Sequence, residues 1–213
     1  MISLFLSAFV TFFVVIDPPG CAPIFASLTR GGSAAYRRTM AIRSTGIATV
    51  ILILFALAGE PLLGALGISL DAFRIAGGIM VFLIALEMVF EKRTERREGR
   101  AEEINRRHAE EHREEPEDIS VFPMAIPMIA GPGSIATVML VTSHNHGQAL
   151  LVVLAALASV LVLSVAALLA AGAIMRVLGD KLEAKITRVL GVLLAALAAQ
   201  FVIDGVKASF GLG

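Results

Sequence analysis

Two segments of this chain pair helix-breaking residues with groups that can bind a small charged ligand. They are "DPPGCAP" (17–23) and "AGPGSIAT" (130–137), and their Pro-Gly pairs stand 113 positions apart, at 19 and 132. Proline removes a backbone donor and glycine loosens the chain, so each segment should end one half-helix and start another. The new half-helix begins with unpaired N–H groups and a positive dipole end, which favour a carboxylate. The candidate ligand-binding residues are Asp17, Pro18, Gly20, Cys21, Ala22, Gly131, Gly133, Ser134, Ile135, Thr137 and Gln200.

Asp17 is the acid within the first apolar run. An acid inside a membrane span is costly and is by default a functional candidate, here for binding an ammonium group or carrying a proton. The alternative role is a helix cap, with Pro18 at the first helical position. The two roles are compatible, and both stay open. Ser134 and Thr137 offer hydroxyls at the second segment, again with capping as the alternative, and Gln200 is expected to face the interior.

The composition indicates an integral membrane protein. Of 213 residues, 57% are hydrophobic and 17% are charged, and the mean hydropathy is +0.83. Soluble domains have roughly 45–50% apolar and about 25% charged residues. Several runs of Leu, Ala, Val and Gly reach the length of about 20 residues that a helix needs to cross a bilayer. The N-terminal run has no basic region or cleavage signal, so we interpret it as a membrane helix.

Six membrane-crossing helices are predicted. The expected spans are 3–29, 40–58, 72–90, 119–142, 148–174 and 186–206. The Pro-Gly pairs break the first and the fourth. Residues 91–118 are almost wholly charged and form a linker. The prediction is a single all-α transmembrane domain over 1–213, with one repeat at 1–90 and a second at 119–213.

The distribution of Lys and Arg predicts the orientation. Of the 18 Lys and Arg residues, all except Arg74 and Lys207 lie between helices 1 and 2, 3 and 4, or 5 and 6. Basic residues mark the cytoplasmic side of a membrane protein. Both termini are therefore expected outside the cytoplasm.

The two halves resemble each other beyond the broken segments. "LGISLDAFRIAGG" (66–78) resembles "LGDKLEAKITRVLGV" (178–192), with Gly77 matched to Gly191 after two extra residues. Each half has three helices, an odd number, so the second half must cross the membrane in the opposite sense. The prediction is a 3+3 inverted repeat with helices 1 and 4 broken in mid-membrane, an arrangement shared by many alternating-access transporters. Segments 17–23 and 131–137 should then face each other and form one central site.

Other patterns that could carry chemistry are weak. The single cysteine, Cys21, excludes an internal disulfide and a two-cysteine relay. "HAEEH" (108–112) fits an inverted zinc-protease pattern, but it lies in the charged linker, where a solvated helix is expected. "HNH" (144–146) is expected to form an external turn. The net charge of +0 gives no indication of a nucleic-acid partner. No enzyme activity, metal or cofactor is predicted.

Taken together, these motifs resemble the MarC family of bacterial inner-membrane proteins. The matching segments are "DPPGCAP" (17–23), "PMIAGPGSIATVM" (127–139), "GISLDAFRIAGGIMVFLIALEM" (67–88) and "RVLGVLLAALAAQFVIDG" (188–205). The resemblance covers nearly the whole chain. Cys21 departs from the family, in which Asn is expected, so a polar side-chain contact is lost there while the backbone N–H would remain.

The resemblance implies a six-helix protein of the inner membrane, some of whose relatives are similar to transporters of small neutral amino acids such as glycine and alanine. Half-helix dipoles would then hold the substrate carboxylate and Asp17 the ammonium, and a Gly/Ala-rich wall would fit only a small side chain. The implied partners are an amino acid, protons and the lipid bilayer, and an oligomer stays open. The alternatives are an exporter of ions or other small solutes, and a non-transporting membrane partner that recruits a cytoplasmic protein through 91–118.

Overall fold

The computed structural model describes residues 1–90, 96, 98, 99, 101–103, 106, 118–143 and 145–211, with backbone alone for 176–184. All of the secondary structure in this part of the chain is helical. The predicted linker 91–118 lies mostly outside the described residues, and "HAEEH" lies wholly outside them. The helical segments are α1 (Ile2–Ile16), α2 (Pro18–Leu28), α3 (Ala34–Ala65), α4 (Leu70–Val89), α5 (Ser120–Ile129), α6 (Pro132–Ser143), α7 (Gln148–Leu169) and α8 (Ala171–Ser209).

The helices are long and apolar enough for a multi-pass membrane protein. Within the described residues five spans qualify, and a sixth arises if the bent pair α5–α6 counts as one crossing. Large apolar side chains such as Val50, Leu151 and Val162 stay exposed along these helices. Lipid tails can cover such a surface and water cannot do so without a large cost. The predicted all-helical, integral membrane class is therefore confirmed.

Serine side chains set the starts of α3 and α4. The Ser33 hydroxyl accepts a hydrogen bond from the Tyr36 N–H at 3.1 Å, and the Ser69 hydroxyl accepts one from the Ala72 N–H at 3.2 Å. Each satisfies one of the N–H groups that the first turn of a helix leaves unpaired. This cap lets α3 begin before residue 40, where the sequence placed the start of the second span.

The fifth and sixth spans differ from the prediction. Helix α7 ends at Leu169 instead of 174, and α8 runs unbroken from Ala171 to Ser209. The sequence predicted a turn before 186, but the polar stretch there is rich in Leu, Lys, Glu and Ala, which all favour helix. At 39 residues α8 is about 58 Å long, longer than the hydrocarbon core of about 30 Å. Its apolar span is Lys185–Ser209.

Helices α4 and α8 pack closely and run antiparallel, with three glycines at the contact, Gly78, Gly191 and Gly205, each of which meets the opposite backbone. A Cβ at Gly78 would lie 3.0 Å from the carbonyl oxygen of Ala198, and a Cβ at Gly191 would lie 3.1 Å from that of Ala85. Backbone atoms cannot rotate away as a side chain can. The absence of a side chain at both positions thus permits the approach, as at many helix contacts in membranes.

The remaining helices pack mainly against one another. Helices α1 and α2 pack against α7, and α5 and α6 pack against α3. Helix α2 also contacts α8, and α6 contacts α4. The largest buried cluster includes Phe12, Phe25, Met124 and Leu157, so side chains from both halves share one core.

The start of α5 is tied to α3 by an acid outside the membrane spans. Asp118 accepts hydrogen bonds from the Ser120 hydroxyl and N–H, and its carboxylate lies 2.7 Å from the guanidinium of Arg43 on α3. The Ser120 hydrogen bonds first, and then the Arg43 charge, hold the pKa of Asp118 below its usual value of 3.8, while burial opposes them.

Acid should weaken this connection. Because its folded-state pKa is lowered, ionised Asp118 stabilises the fold above pH 3.8, and that contribution is lost as the pH falls through the lowered value. We expect the unfolding midpoint of detergent-solubilised protein to fall below that pH, and Asp118→Asn to remove part of the fall. The effect is small because both partners are about half exposed. Asp71→Asn is the control, and equal pH dependence of the two variants would contradict this expectation.

Candidate functional site

Asp17 separates α1 from α2 and caps the second helix. Its backbone is left-handed, with φ 57° and ψ 62°, and its N–H donates to the Phe13 carbonyl at 2.9 Å. Its carboxylate accepts a hydrogen bond from the Gly20 N–H at 3.1 Å and is 1% exposed. A Cβ at Gly20 would lie 2.2 Å from the Asp17 carboxylate oxygen, so the cap requires glycine at that position. The capping role that the sequence left open is the one these contacts describe.

The first turn of α2 has no donor left for a ligand. Pro18 and Pro19 carry no N–H, the Gly20 N–H binds the Asp17 side chain, and the Cys21 N–H binds the Asp17 carbonyl at 3.1 Å. The Cys21 thiol is buried and lies 3.6 Å from the Ile16 carbonyl oxygen. A substrate carboxylate at residues 20–22 would therefore have to displace hydrogen bonds that the chain already makes there.

The second break, between α5 and α6, is built differently. The two segments are bent by 54°, and α5 is irregular, with extended backbone at Phe122 and Ile126. Gly131 precedes Pro132, and a Cβ there would lie 2.4 Å from the Pro127 carbonyl oxygen. The residue before α6 thus has no side chain that could cap the helix, and the backbone of α5 leaves no space for one.

Two N–H donors in the first turn of α6 have no partner among the described residues. The Ile135 N–H reaches the Gly131 carbonyl at 3.0 Å, which is the first bond of the helix. The N–H groups of Gly133 and Ser134 precede that bond and have no partner within α6. The Ser134 side chain is 4% exposed, and its hydroxyl has no hydrogen bond within the described part of the chain. Three donors therefore lie together at this helix end.

A cavity of about 460 Å³ opens beside these donors. It lies between α4, the end of α1 and the second break, with walls that are mainly apolar. The lining residues are Val15, Met80, Leu83, Ile84, Glu87, Arg96, Pro127, Met128, Gly131, Pro132, Gly133 and Ser134.

Glu87 supplies the negative charge of this cavity. Its carboxylate is 29% exposed and accepts a hydrogen bond from the guanidinium of Arg96, which is 70% exposed. The position of Glu87 in the sequence, near the cytoplasmic end of the third predicted span, predicts a side chain that extends toward the membrane surface. The signal for a site was present, because Glu87 is the ionisable residue within 75–90.

Comparison with known proteins places the chain in a family. The family model described as MarC family integral membrane protein matches residues 2–210. The chain belongs to the MarC family. The resemblance drawn from the broken segments and the closing helix is thereby confirmed.

Relatives match this MarC protein along nearly its whole length. A UPF0056 membrane protein of Archaeoglobus fulgidus is 35% identical over 206 residues, which cover 96% of this chain and 92% of the relative. UPF0056 membrane protein YvbG of Bacillus subtilis is 34% identical over 213 residues, covering 99% and 97%. UPF0056 inner membrane protein YhgN of Escherichia coli K12 is 32% identical over 206 residues, covering 95% of each chain. No solved structure matches significantly.

Three of the sequence-predicted site residues of this MarC protein line the cavity, namely Gly131, Gly133 and Ser134. The two breaks approach each other, because a Cβ at Gly133 would lie 3.8 Å from the Val15 side chain, two residues before Asp17. The other predicted site residues do not line it; they are Asp17, Pro18, Gly20, Cys21, Ala22, Ile135, Thr137 and Gln200.

One of these residues, Gln200, occupies a different environment from the one expected. Gln200 is exposed on α8 and donates a hydrogen bond to the Asp204 carboxylate at 2.7 Å, so it does not face the interior. A helix position one residue away points about 100° around the axis, which the sequence could not resolve. Thr137 is buried on α6, and its hydroxyl has no partner among the described residues.

Potential metal ligands are not assembled in the described part of the chain. No group of three or more His, Cys, Asp or Glu residues comes together there. Of the "HNH" turn, His146 lies 3.7 Å from the exposed Glu60 carboxylate, and His144 lies outside the described residues.

Proposed function

We propose that this MarC protein is a secondary transporter of small neutral amino acids that works by alternating access. The observation that carries the proposal is the cavity at the second break, with its unpaired N–H groups on Gly133 and Ser134. A cavity of 460 Å³ has about fifteen times the volume of one water molecule, about 30 Å³, and can hold a small solute with some of its water.

The comparison of the two helix starts supports a carboxylate as the ligand. At α2 the Asp17 carboxylate accepts the Gly20 N–H, whereas at α6 no carboxylate of the described residues binds the corresponding donors. A substrate carboxylate would occupy at α6 the place that Asp17 fills at α2. The N-terminal dipole of α6 adds to this attraction. Apolar residues such as Met80 and Ile84 favour a substrate whose side chain is apolar over one whose side chain is polar.

Contacts between α4 and α8 support an inverted repeat. The two Pro-Gly pairs are 113 residues apart, and adding 113 to the number of Gly78 gives Gly191. Subtracting 113 from the numbers of the residues around Gly78 gives the residues around Gly191. This register replaces the match of Gly77 to Gly191. The atoms nearest a Cβ at Gly78 are Ala198 O, Phe201 Cβ and Val202 Cγ2, and those nearest a Cβ at Gly191 are Ala85 O, Met88 Cβ and Val89 Cγ2.

The same shift of 113 residues also relates the contacts between helices. Helix α1 packs on α7 as α5 packs on α3, and α2 packs on α8 as α6 packs on α4. A second cavity, of about 470 Å³, lies between α1 and α8. Its residues Val14, Leu193 and Leu197 correspond under the shift to Pro127, Met80 and Ile84 of the first cavity. Two related crevices are what alternating access around a central site requires.

Matched substitutions test this repeat. Gly78→Ala and Gly191→Ala each place a methyl group against a carbonyl oxygen of the opposite helix, at 3.0 and 3.1 Å. We expect both to lower the free energy of unfolding by about 1–3 kcal/mol, and by similar amounts, because the surroundings are equivalent. Gly64→Ala, with nothing within 4 Å of its Cβ, is the control. A cost at one glycine and none at the other would contradict the proposed repeat. The midpoint of unfolding in detergent measures each cost.

The orientation is part of the proposal. The Lys and Arg distribution supports both termini outside the cytoplasm, and the name of the Escherichia coli relative supports the inner membrane. Accessibility of Ser3→Cys to a membrane-impermeant thiol reagent in intact cells tests it. Labelling is expected, and labelling only after lysis would reverse the assignment. The native Cys21 is buried and provides little background.

Flux through purified protein tests the function. Proteoliposomes should take up labelled glycine, alanine and serine, and a pH gradient should drive accumulation if the proton is the coupling ion. Uptake no faster than in empty liposomes, from protein shown to be folded and inserted, would sink the transporter proposal. Flux of an inorganic ion without amino acid flux would favour the exporter alternative.

A further inference from the structure

We propose that Glu87, and not Asp17, is the carboxylate that binds the ammonium group of the substrate. Within the chain, Arg96 pairs with this carboxylate as an internal cation. This inference rests on the proposed function and assigns the second charge of the same site.

The cavity is lined by groups of opposite character. The N–H groups of Gly133 and Ser134 and the Ser134 hydroxyl can all donate hydrogen bonds. Glu87, one turn beyond Ile84 on α4, carries a carboxylate that can accept them. Ile84 reaches the second break, since a Cβ at Gly133 would lie 2.3 Å from its terminal methyl carbon. The donors and the Glu87 carboxylate thus line one cavity, as the carboxylate and ammonium of a zwitterion require.

Asp17 is not available for this role. Its carboxylate holds the Gly20 N–H at 3.1 Å, is almost wholly buried, and does not line the cavity. An ammonium group could reach it only by breaking the cap of α2. Glu87 is accessible from the cavity without such a rearrangement.

Arg96 indicates that Glu87 already binds a cation. A carboxylate in an apolar wall is costly unless it is paired, and the guanidinium of Arg96 provides that pairing. Arg96 is the more exposed of the two side chains, so its head can return to water at little cost. A substrate ammonium would displace it, because both cations need the same carboxylate oxygens.

Substitutions at both partners separate these roles. Glu87→Gln should raise the glycine concentration for half-maximal uptake by about 10- to 100-fold, the usual range for losing a charged hydrogen-bond partner. For Glu87→Asp, which keeps the charge, the glycine concentration for half-maximal uptake should lie between the values for Glu87→Gln and for the parent protein. Arg96→Gln should lower that concentration, because it removes the competing cation. Glu60→Gln, an exposed acid away from the cavity, is the matched control.

Binding can be followed independently of transport. In a Ser134→Cys variant, glycine should protect the cavity thiol from an alkylating reagent, and acetate, which has no ammonium, should protect it less. Glu87→Gln should reduce this preference for glycine. If Glu87→Gln matches Glu60→Gln, or if Arg96→Gln weakens glycine as much as Glu87→Gln does, the inference is overturned while the transporter remains. If the parent protein takes up no amino acid, the proposed function itself fails.

Discussion

Asp17→Ala is expected to lower the free energy of unfolding by about 2–4 kcal/mol, whereas Asp17→Asn should change it by less than about 1 kcal/mol. Alanine leaves the buried Gly20 N–H unpaired, which costs about 1–3 kcal/mol. Alanine also has a Cβ but no polar side chain to stabilise the left-handed backbone at φ 57°, which adds a strain of about 1 kcal/mol. Asparagine caps a helix as well as aspartate does and tolerates the left-handed backbone. Unfolding midpoints in detergent would measure both changes.

Glycine uptake distinguishes a helix-capping role of Asp17 from a proton-carrying role. If Asp17 acts through its cap, Asp17→Asn should retain uptake and its response to a pH gradient. Asp204→Ala, which removes only an exposed hydrogen bond with Gln200, is the stability control. Retained exchange with a lost response to pH would instead assign proton transfer to Asp17, and an Asn variant as unstable as the Ala variant would contradict the cap argument.

The sequence predicts the membrane elements well because their signals are local. Apolar run length identifies the spans, and Pro-Gly pairs mark where helices end, as at Asp17 and at Gly131. The cap at Asp17 follows the same way, since its partner Gly20 is three residues away. Each of these features depends on neighbours along the chain, so composition and spacing are sufficient to find them.

The site could not be predicted to the same degree because it depends on packing between distant segments. Glu87 lines the cavity only because α4 lies against α6, and Arg96 reaches it from the charged linker. The donors at α2 and α6 look alike in sequence, yet those of α2 are consumed within the first break. Gln200 shows the opposite error: the sequence predicts that this polar residue of an apolar helix faces the interior, but it lies on the exposed side of α8.

The register of the proposed repeat also could not be chosen from the sequence. Gly77 and Gly78 are adjacent, so either can be matched to Gly191 by eye. The contacts of the two glycines decide between these matches. A Cβ at Gly77 would meet the Leu140 side chain of α6, whereas a Cβ at Gly78 would meet the backbone of α8. Only the second environment corresponds to that of Gly191.

Gly133→Ala is expected to reduce glycine uptake about tenfold, and Ile84→Val in the same chain should restore it to within about threefold. The new Cβ would lie 2.3 Å from the terminal methyl carbon of Ile84, which must move into the cavity beside the N–H donors. Overpacking of this kind costs about 1–3 kcal/mol. Valine lacks that methyl group, so the double variant recovers the space that the single variant loses. Initial rates in proteoliposomes over a range of glycine concentrations would measure both effects.

Gly131→Ala is the contrasting case. Its Cβ would meet the Pro127 carbonyl oxygen at 2.4 Å, a backbone atom that cannot rotate away. We therefore expect loss of uptake that Ile84→Val does not restore. Rescue of both glycine variants by Ile84→Val would show that the substitution acts on general stability, since the two clashes have no atom in common. Rescue of Gly133→Ala alone would tie the loss to the volume beside the first turn of α6, where we propose that the substrate carboxylate binds.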